Sequence, residues 1–205
     1  YTLTGSNFIQ IGAQLPQVSF TDVSSQALVQ TVTASTASGC VSLPAPTGLT
    51  LQSCTTLVVT VPKGSLPDGA TYRLAVLNAD ATGCASQEDL RTVVIPPSSI
   101  TSATSLAVCA QAATTLQITG TGFVHVLRPA DQTPTLTING TAFPTTVSNC
   151  TPIVDAPDAE LCTTVQLTIP QGTFPIGTYS AQLQNPPGGC SVAAALKVDV
   201  VGPPT

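Results

Sequence analysis

The sequence predicts an all-β chain folded as two tandem β-sandwiches. Three observations carry that expectation. Apolar and polar residues alternate in short runs that stop at Pro, Gly or Asn. Threonine and serine, 33 and 17 of 205 residues, favour strands and turns respectively. One ordered series of motifs occurs twice, which marks a repeated folding unit.

The strands follow in chain order. Tyr1-Thr-Leu-Thr-Gly-Ser-Asn-Phe8 matches Leu116-Gln-Ile-Thr-Gly-Thr-Gly-Phe123. The glycine inside each suits a bulge or strand end where a side chain would clash. Cys54-Thr-Thr-Leu-Val-Val-Thr-Val-Pro62 matches Cys162-Thr-Thr-Val-Gln-Leu-Thr-Ile-Pro170. Residues 72–77 and 179–183 alternate with period two, and 90–95 and 195–201 close the copies. Between residues 135–138 and 141–143, Asn139-Gly140 predicts a two-residue hairpin, because a type I′ turn needs φ > 0 at both positions. No window has the pattern of a long helix.

Composition excludes several functions. Charged residues are 7% of the chain, and 5 Lys+Arg against 10 Asp+Glu give −5. A nucleic-acid surface needs a basic patch, which five scattered cations do not make. The same count excludes a polybasic membrane anchor. No apolar run approaches the roughly 20 residues of a membrane helix, so no membrane insertion is expected. The start at Tyr1 has neither an initiator Met nor a signal-peptide pattern, and the expectation is a piece of a longer polypeptide.

The repeated motifs resemble the IPT/TIG module, an immunoglobulin-like domain of plexins, transcription factors and bacterial surface proteins. Gly5, Asn7, Phe8, Pro62, Gly69, Tyr72 and Asn78 carry the pattern in the first copy. Gly120, Gly122, Phe123, Pro170, Gly177, Tyr179 and Asn185 carry it in the second. The resemblance implies two immunoglobulin-like domains, 1–97 and 98–205, around a linker at Pro96 and Pro97. Residues 100–115 are expected to form the first strand of the second domain. The first domain has no counterpart to them, so it is expected to lack its first strand. The cysteines and the low charge depart from the family.

Seven cysteines in a low-charge chain suggest an oxidising compartment. Alignment of the copies predicts bridges Cys40–Cys54, Cys150–Cys162 and Cys109–Cys190. Cys84 is left over, either as an unpaired thiol or as half of an intermolecular bridge.

Few residues point to chemistry. The single His, His125, lies between valines on an expected strand and reads as structural. Asp155, Asp158 and Glu160 form a weak candidate for Ca²⁺, with a solvated acidic loop as the plainer reading. Asn139 and Asn149 open N-glycosylation sequons, although Asn139 is already claimed by the hairpin turn. Phe8, Phe123, Tyr72 and Tyr179 recur and are assigned to the core. Tyr1, Phe20, Phe143 and Phe174 remain as surface candidates. No catalytic set and no cofactor site are expected.

The expectation is therefore a non-catalytic, extracellular structural repeat, part of a surface stalk, fibre or filament. Its partners would be neighbouring copies or adjacent repeats of the same protein. An adhesin or glycan- or protein-binding module facing a host or matrix ligand is the first alternative. A non-catalytic accessory domain of a secreted enzyme is the second.

Overall fold

A computed structural model describes residues 1–79, 84–86, 89–101, 105–186, 190–191 and 196–203. The chain divides into two compact units, Tyr1–Val94 and Ile95–Thr205. Among the described residues there is no helix, and so none long and apolar enough to cross a membrane.

The first unit contains β1 (Thr2–Ile11), β2 (Gln17–Asp22), β3 (Leu28–Thr33), β4 (Thr36–Ser38), β5 (Val41–Leu43), β6 (Leu51–Val58), β7 (Thr71–Leu77) and β8 (Leu90–Val93). One sheet runs β1-β6-β4, with β5 also on β6, and the other runs β3-β2-β7-β8. Leu3, Phe8 and Leu57 from the first sheet pack against Val18, Phe20, Tyr72 and Leu74 from the second. Burying an aliphatic or aromatic side chain of this size stabilises by about 1.5–3 kcal/mol.

The second unit contains β9 (Ser99–Ile100), β10 (Ser105–Cys109), β11 (Thr114–Val126), β12 (Thr135–Ile138), β13 (Thr141–Phe143), β14 (Thr146–Ile153), β15 (Ala156–Ile169), β16 (Gly177–Asn185), β17 (Cys190–Ser191) and β18 (Leu196–Val201). Its sheets are β14-β15-β11-β9 and β10-β18-β16-β12-β13, with β17 also on β16. The stretch expected as one first strand is instead two short strands in different sheets. β9 pairs with β11, whereas β10 pairs in parallel with β18.

The repeated Gly-x-Gly/Asn-Phe motif is a bulge within a long strand. Register shifts between Thr4 and Phe8, and again between Thr119 and Phe123. Asn7 and Gly122 turn the chain there with φ of 60° and 73°. A Cβ on Gly120 would fall 2.0 Å from the Ser99 carbonyl oxygen and 2.7 Å from the Phe123 ring. Each bulge is held from the facing sheet. Asn78 Oδ1 accepts the Ile9 N–H at 2.8 Å, and Asn185 Oδ1 accepts the Val124 N–H at 3.0 Å. A second recurring device is the tyrosine near the start of β7 and of β16. Tyr72 and Tyr179 donate their hydroxyls to the carbonyls of Pro67 and Pro175, at 3.0 and 2.9 Å. Burial, with smaller contributions from the Asp22 and Asp68 charges, raises the Tyr72 pKa.

Three surface assignments are corrected. Phe20, Phe143 and Phe174 are buried in the cores, and only Tyr1 of that group is exposed. With five Phe and no Trp, the large rings are needed inside. Tyr1 still leans inward, its ring 6.0 Å from Phe20.

Cys40 is bridged to Cys54, and Cys150 to Cys162. Cys150 and Cys162 are direct cross-strand partners of β14 and β15. The expected Cys109–Cys190 bridge is not formed, and Cys109 keeps a free thiol. β10 runs parallel to β18, so Cys109 pairs with Val201, next to the β16 end that starts at Gly177. Cys190 pairs with Asn185, at the other end of nine-residue β16. At about 3.3 Å per residue that is about 25 Å, far beyond the roughly 7 Å that a disulfide spans between Cα atoms. Cys84 is an exposed free thiol.

Candidate functional site

The outer edge of β8 is the first candidate. β18 lies between β10 and β16, whereas β8 ends its sheet and pairs only with β7 among the described strands. Tyr72 pairs with Thr92, and Tyr179 with Val198. Leu90 therefore corresponds to Leu196 and Thr92 to Val198. Leu196 and Val198 are sealed by β10, whose Leu106 and Val108 enter the core. Leu90 is 47% exposed, against 1% for Leu196. Asp89 sits beside this edge, 2.7 Å from Arg91 and 3.2 Å from Arg73. The Arg91 hydrogen bond, aided by both guanidinium charges, holds its carboxyl below the usual range.

A pair of polar clefts is the second candidate. One, of about 390 Å³, is lined by Gln14, Gln17, Thr33 and Asn78. The other, of about 340 Å³, is lined by Gln132, Thr133, Thr135, Gln184 and Asn185. The two clefts correspond. Gln14 bridges to Ile11 and Gln132 to Val126, which are matching positions of β1 and β11. Neutral amides and hydroxyls of this kind recognise other hydrogen-bonding groups without selecting charge.

The third candidate lies at the rim of the second core. His125 on β11 pairs with Glu160 on β15. Strand alternation puts His125 on the face of Phe123, and Glu160 on the face of Cys162. His125 Nε2 lies 2.7 Å from Asp131, and Nδ1 lies 3.4 Å from Glu160 Oε2. Nδ1 is buried and makes no hydrogen bond among the described residues. Donor atoms of His125, Glu160, Cys150 and Cys162 all lie within 4.8 Å of one another. The first unit has Gln10 and Gln52 at the matching pair, and so no such set.

Two of the acidic trio face different basic groups. Asp155 stands at the β14–β15 turn, Asp158 lies 3.9 Å from Arg128, and Glu160 faces His125. Asn139 and Gly140 form the β12–β13 turn with φ of 48° and 82°. Asn149, at φ 55°, donates through Nδ2 to Thr164 Oγ1 at 3.2 Å. Pro96 and Pro97 are exposed. The His125–Glu160 pairing was missed in the sequence. It was accessible there, because matching Phe123 to Phe8 and Cys162 to Cys54 sets the register two residues further along.

No protein-family model and no curated protein matches the chain. The fold is a tandem pair of two-sheet β-sandwiches. Matches to three solved structures each cover 98% of the chain. One is the Bacteroides ovatus mixed-linkage glucan utilization locus SGBP-B in complex with mixed-linkage heptasaccharide, at 18% identity and TM-score 0.27. The present chain spans 42% of the length of that protein. Rst D1-D2 matches at 14% identity and TM-score 0.33, over 93% of that chain. Dpr2 Ig1-Ig2, in complex with DIP-Theta Ig1-Ig3, matches at 12% identity and TM-score 0.29, over 93% of that chain.

Proposed function

We propose that this chain is a non-catalytic, IPT/TIG-like structural module of an extracellular stalk, fibre or filament. Neighbouring repeats or copies of the same protein join by strand complementation. The observation that carries this reading is the contrast between β8 and β18. The same fold element is sealed by a parallel strand in one unit and, among the described residues, has an unpaired outer edge in the other. Backbone pairing along an open edge, with alternate side chains entering the core, is a general route to association. The occupant is a strand of the β10 kind, apolar at alternate positions, supplied by the adjoining part of the assembly. Two disulfides support an oxidising compartment. Exposed Cys84 is suited to an inter-chain bridge.

Intact mass and sedimentation of the native protein, with and without reduction, test this. A reduced mass several-fold above 20.7 kDa supports a tandem array. A reduced mass near 20.7 kDa with a larger unreduced mass supports bridged subunits. A 20.7 kDa monomer under both conditions contradicts the proposal.

The recurring polar cleft favours ligand binding as a second reading. A hydroxyl-rich glycan that shifts Asn78 and Asn185 side-chain amide resonances would support it. Unmoved resonances across a glycan panel would sink it.

A further inference from the structure

We propose that the Cys150–Cys162 bridge has a second, reduced state that holds a thiophilic divalent cation of the zinc class. Four residues supply the donors: two thiolates, His125 Nδ1 and a Glu160 carboxylate oxygen. A mixed set of sulfur, imidazole and carboxylate donors suits zinc.

The surroundings are already arranged for it. The four donor atoms converge within 4.8 Å. Tetrahedral zinc, with bonds of about 2.0–2.3 Å, needs donors about 3.3–3.8 Å apart. Rotation of the freed thiolates and a small closure of the other two donors would meet that spacing. His125 presents a buried Nδ1 that has no hydrogen-bond partner among the described residues. Its other nitrogen is 2.7 Å from Asp131. A carboxylate behind a ligating imidazole fixes the tautomer and ring orientation. In a chain with one His and 7% charged residues, this grouping stands apart from its repeat. The first unit keeps the bridge, as Cys40–Cys54, with Gln10 and Gln52 beside it.

The chemistry balances. A dithiol transfers two electrons and two protons to the Cys150–Cys162 bond and closes to its own disulfide. The two cysteine thiols then release their protons as the dication binds.

Cobalt titration of the full chain tests the proposal. The chain is reduced beforehand by a water-soluble phosphine, which leaves as the phosphine oxide with an oxygen from water. One equivalent of Co²⁺ should give thiolate-to-cobalt charge transfer and the intense visible bands of a tetrahedral site, both displaced by Zn²⁺. The oxidised chain should give neither. His125→Gln and Glu160→Gln, which install the residues of the first unit, should abolish the tetrahedral bands. Asp131→Asn should weaken zinc about 10–100-fold. Absence of a tetrahedral spectrum in the reduced wild type, or an unchanged spectrum in both Gln variants, would overturn the proposal. So would collapse of the second unit's amide dispersion on reduction, because the four donors would no longer be held together.

Discussion

Leu90 and Leu196 stand at the same register position of β8 and β18, one 47% exposed and the other 1%. The difference has a local cause, because β10 covers β18 and no described strand covers β8. Leu196→Ala should cost about 2–5 kcal/mol, the range for truncating a packed core leucine. Leu90→Ala should stay within about 0.5 kcal/mol, as at a surface position. Denaturant unfolding, followed by amide exchange within each unit, checks both values. Equal costs would mean that Leu90 is covered in solution.

Asn185 should be a stronger staple than Asn78. Asn185 is buried, and besides accepting the Val124 N–H it donates to Ser98 Oγ and the Gly122 carbonyl at 2.7 and 2.8 Å. Asn185→Ala leaves those groups unsatisfied, at about 1–3 kcal/mol. Asn78→Ala should cost less, because Asn78 is only half-buried and donates to the Asn7 carbonyl alone. Unfolding midpoints of the two variants decide the order.

Joint replacement of Cys150 and Cys162 by Ala should lower the stability of the second unit by about 3 kcal/mol. That follows from loop-closure entropy for a separation of 12 residues. The first unit should unfold as in the wild type. A loss shared by both units would show coupling that local closure does not provide.

Asp22 should titrate unusually low. Its Oδ1 accepts hydrogen bonds from Ser24 Oγ, the Ser25 N–H and Ser25 Oγ at 2.6, 2.7 and 3.0 Å. Ser24 contributes most, and the carboxyl is pulled from 3.8 down to about 2. A lowered folded-state pKa favours folding above the ordinary value, and that contribution fades as pH falls from about 4 towards about 2. Carboxyl NMR should place the midpoint near 2 and move it upward in Ser24→Ala. A wild-type midpoint at the ordinary value would contradict these three hydrogen bonds.

Much of the fold was legible because the repeat constrained it twice. Asn139-Gly140 announced its turn, because a type I′ turn needs φ > 0 at both positions, and the recurrence of Phe8, Phe123 and Tyr72 announced their place in the cores. The function of Asn78 and Asn185 was not legible, because each holds a bulge more than 60 residues away. The fate of residues 100–115 was hidden for a related reason. Sequence shows that a segment is apolar, but not that the chain leaves one sheet after Ile100 and joins the other at Ser105. The same crossing misled the Cys109 pairing, because offset counts residues and not strand direction. The His125–Glu160 pairing, 35 positions apart across β11 and β15, needed the register of both copies to be read together.

The open edge of β8 is the central claim, and a graft tests it most directly. A copy of residues 104–115, carrying Cys109→Ser, is placed immediately before Tyr1, which matches Leu116. This recreates the connection of the second unit at high effective concentration. Hydrogen exchange is then read at Leu90–Val93. The account predicts that alternate β8 amides slow sharply and that the Leu90 side chain becomes buried. Unchanged β8 exchange with an unstructured graft would contradict it.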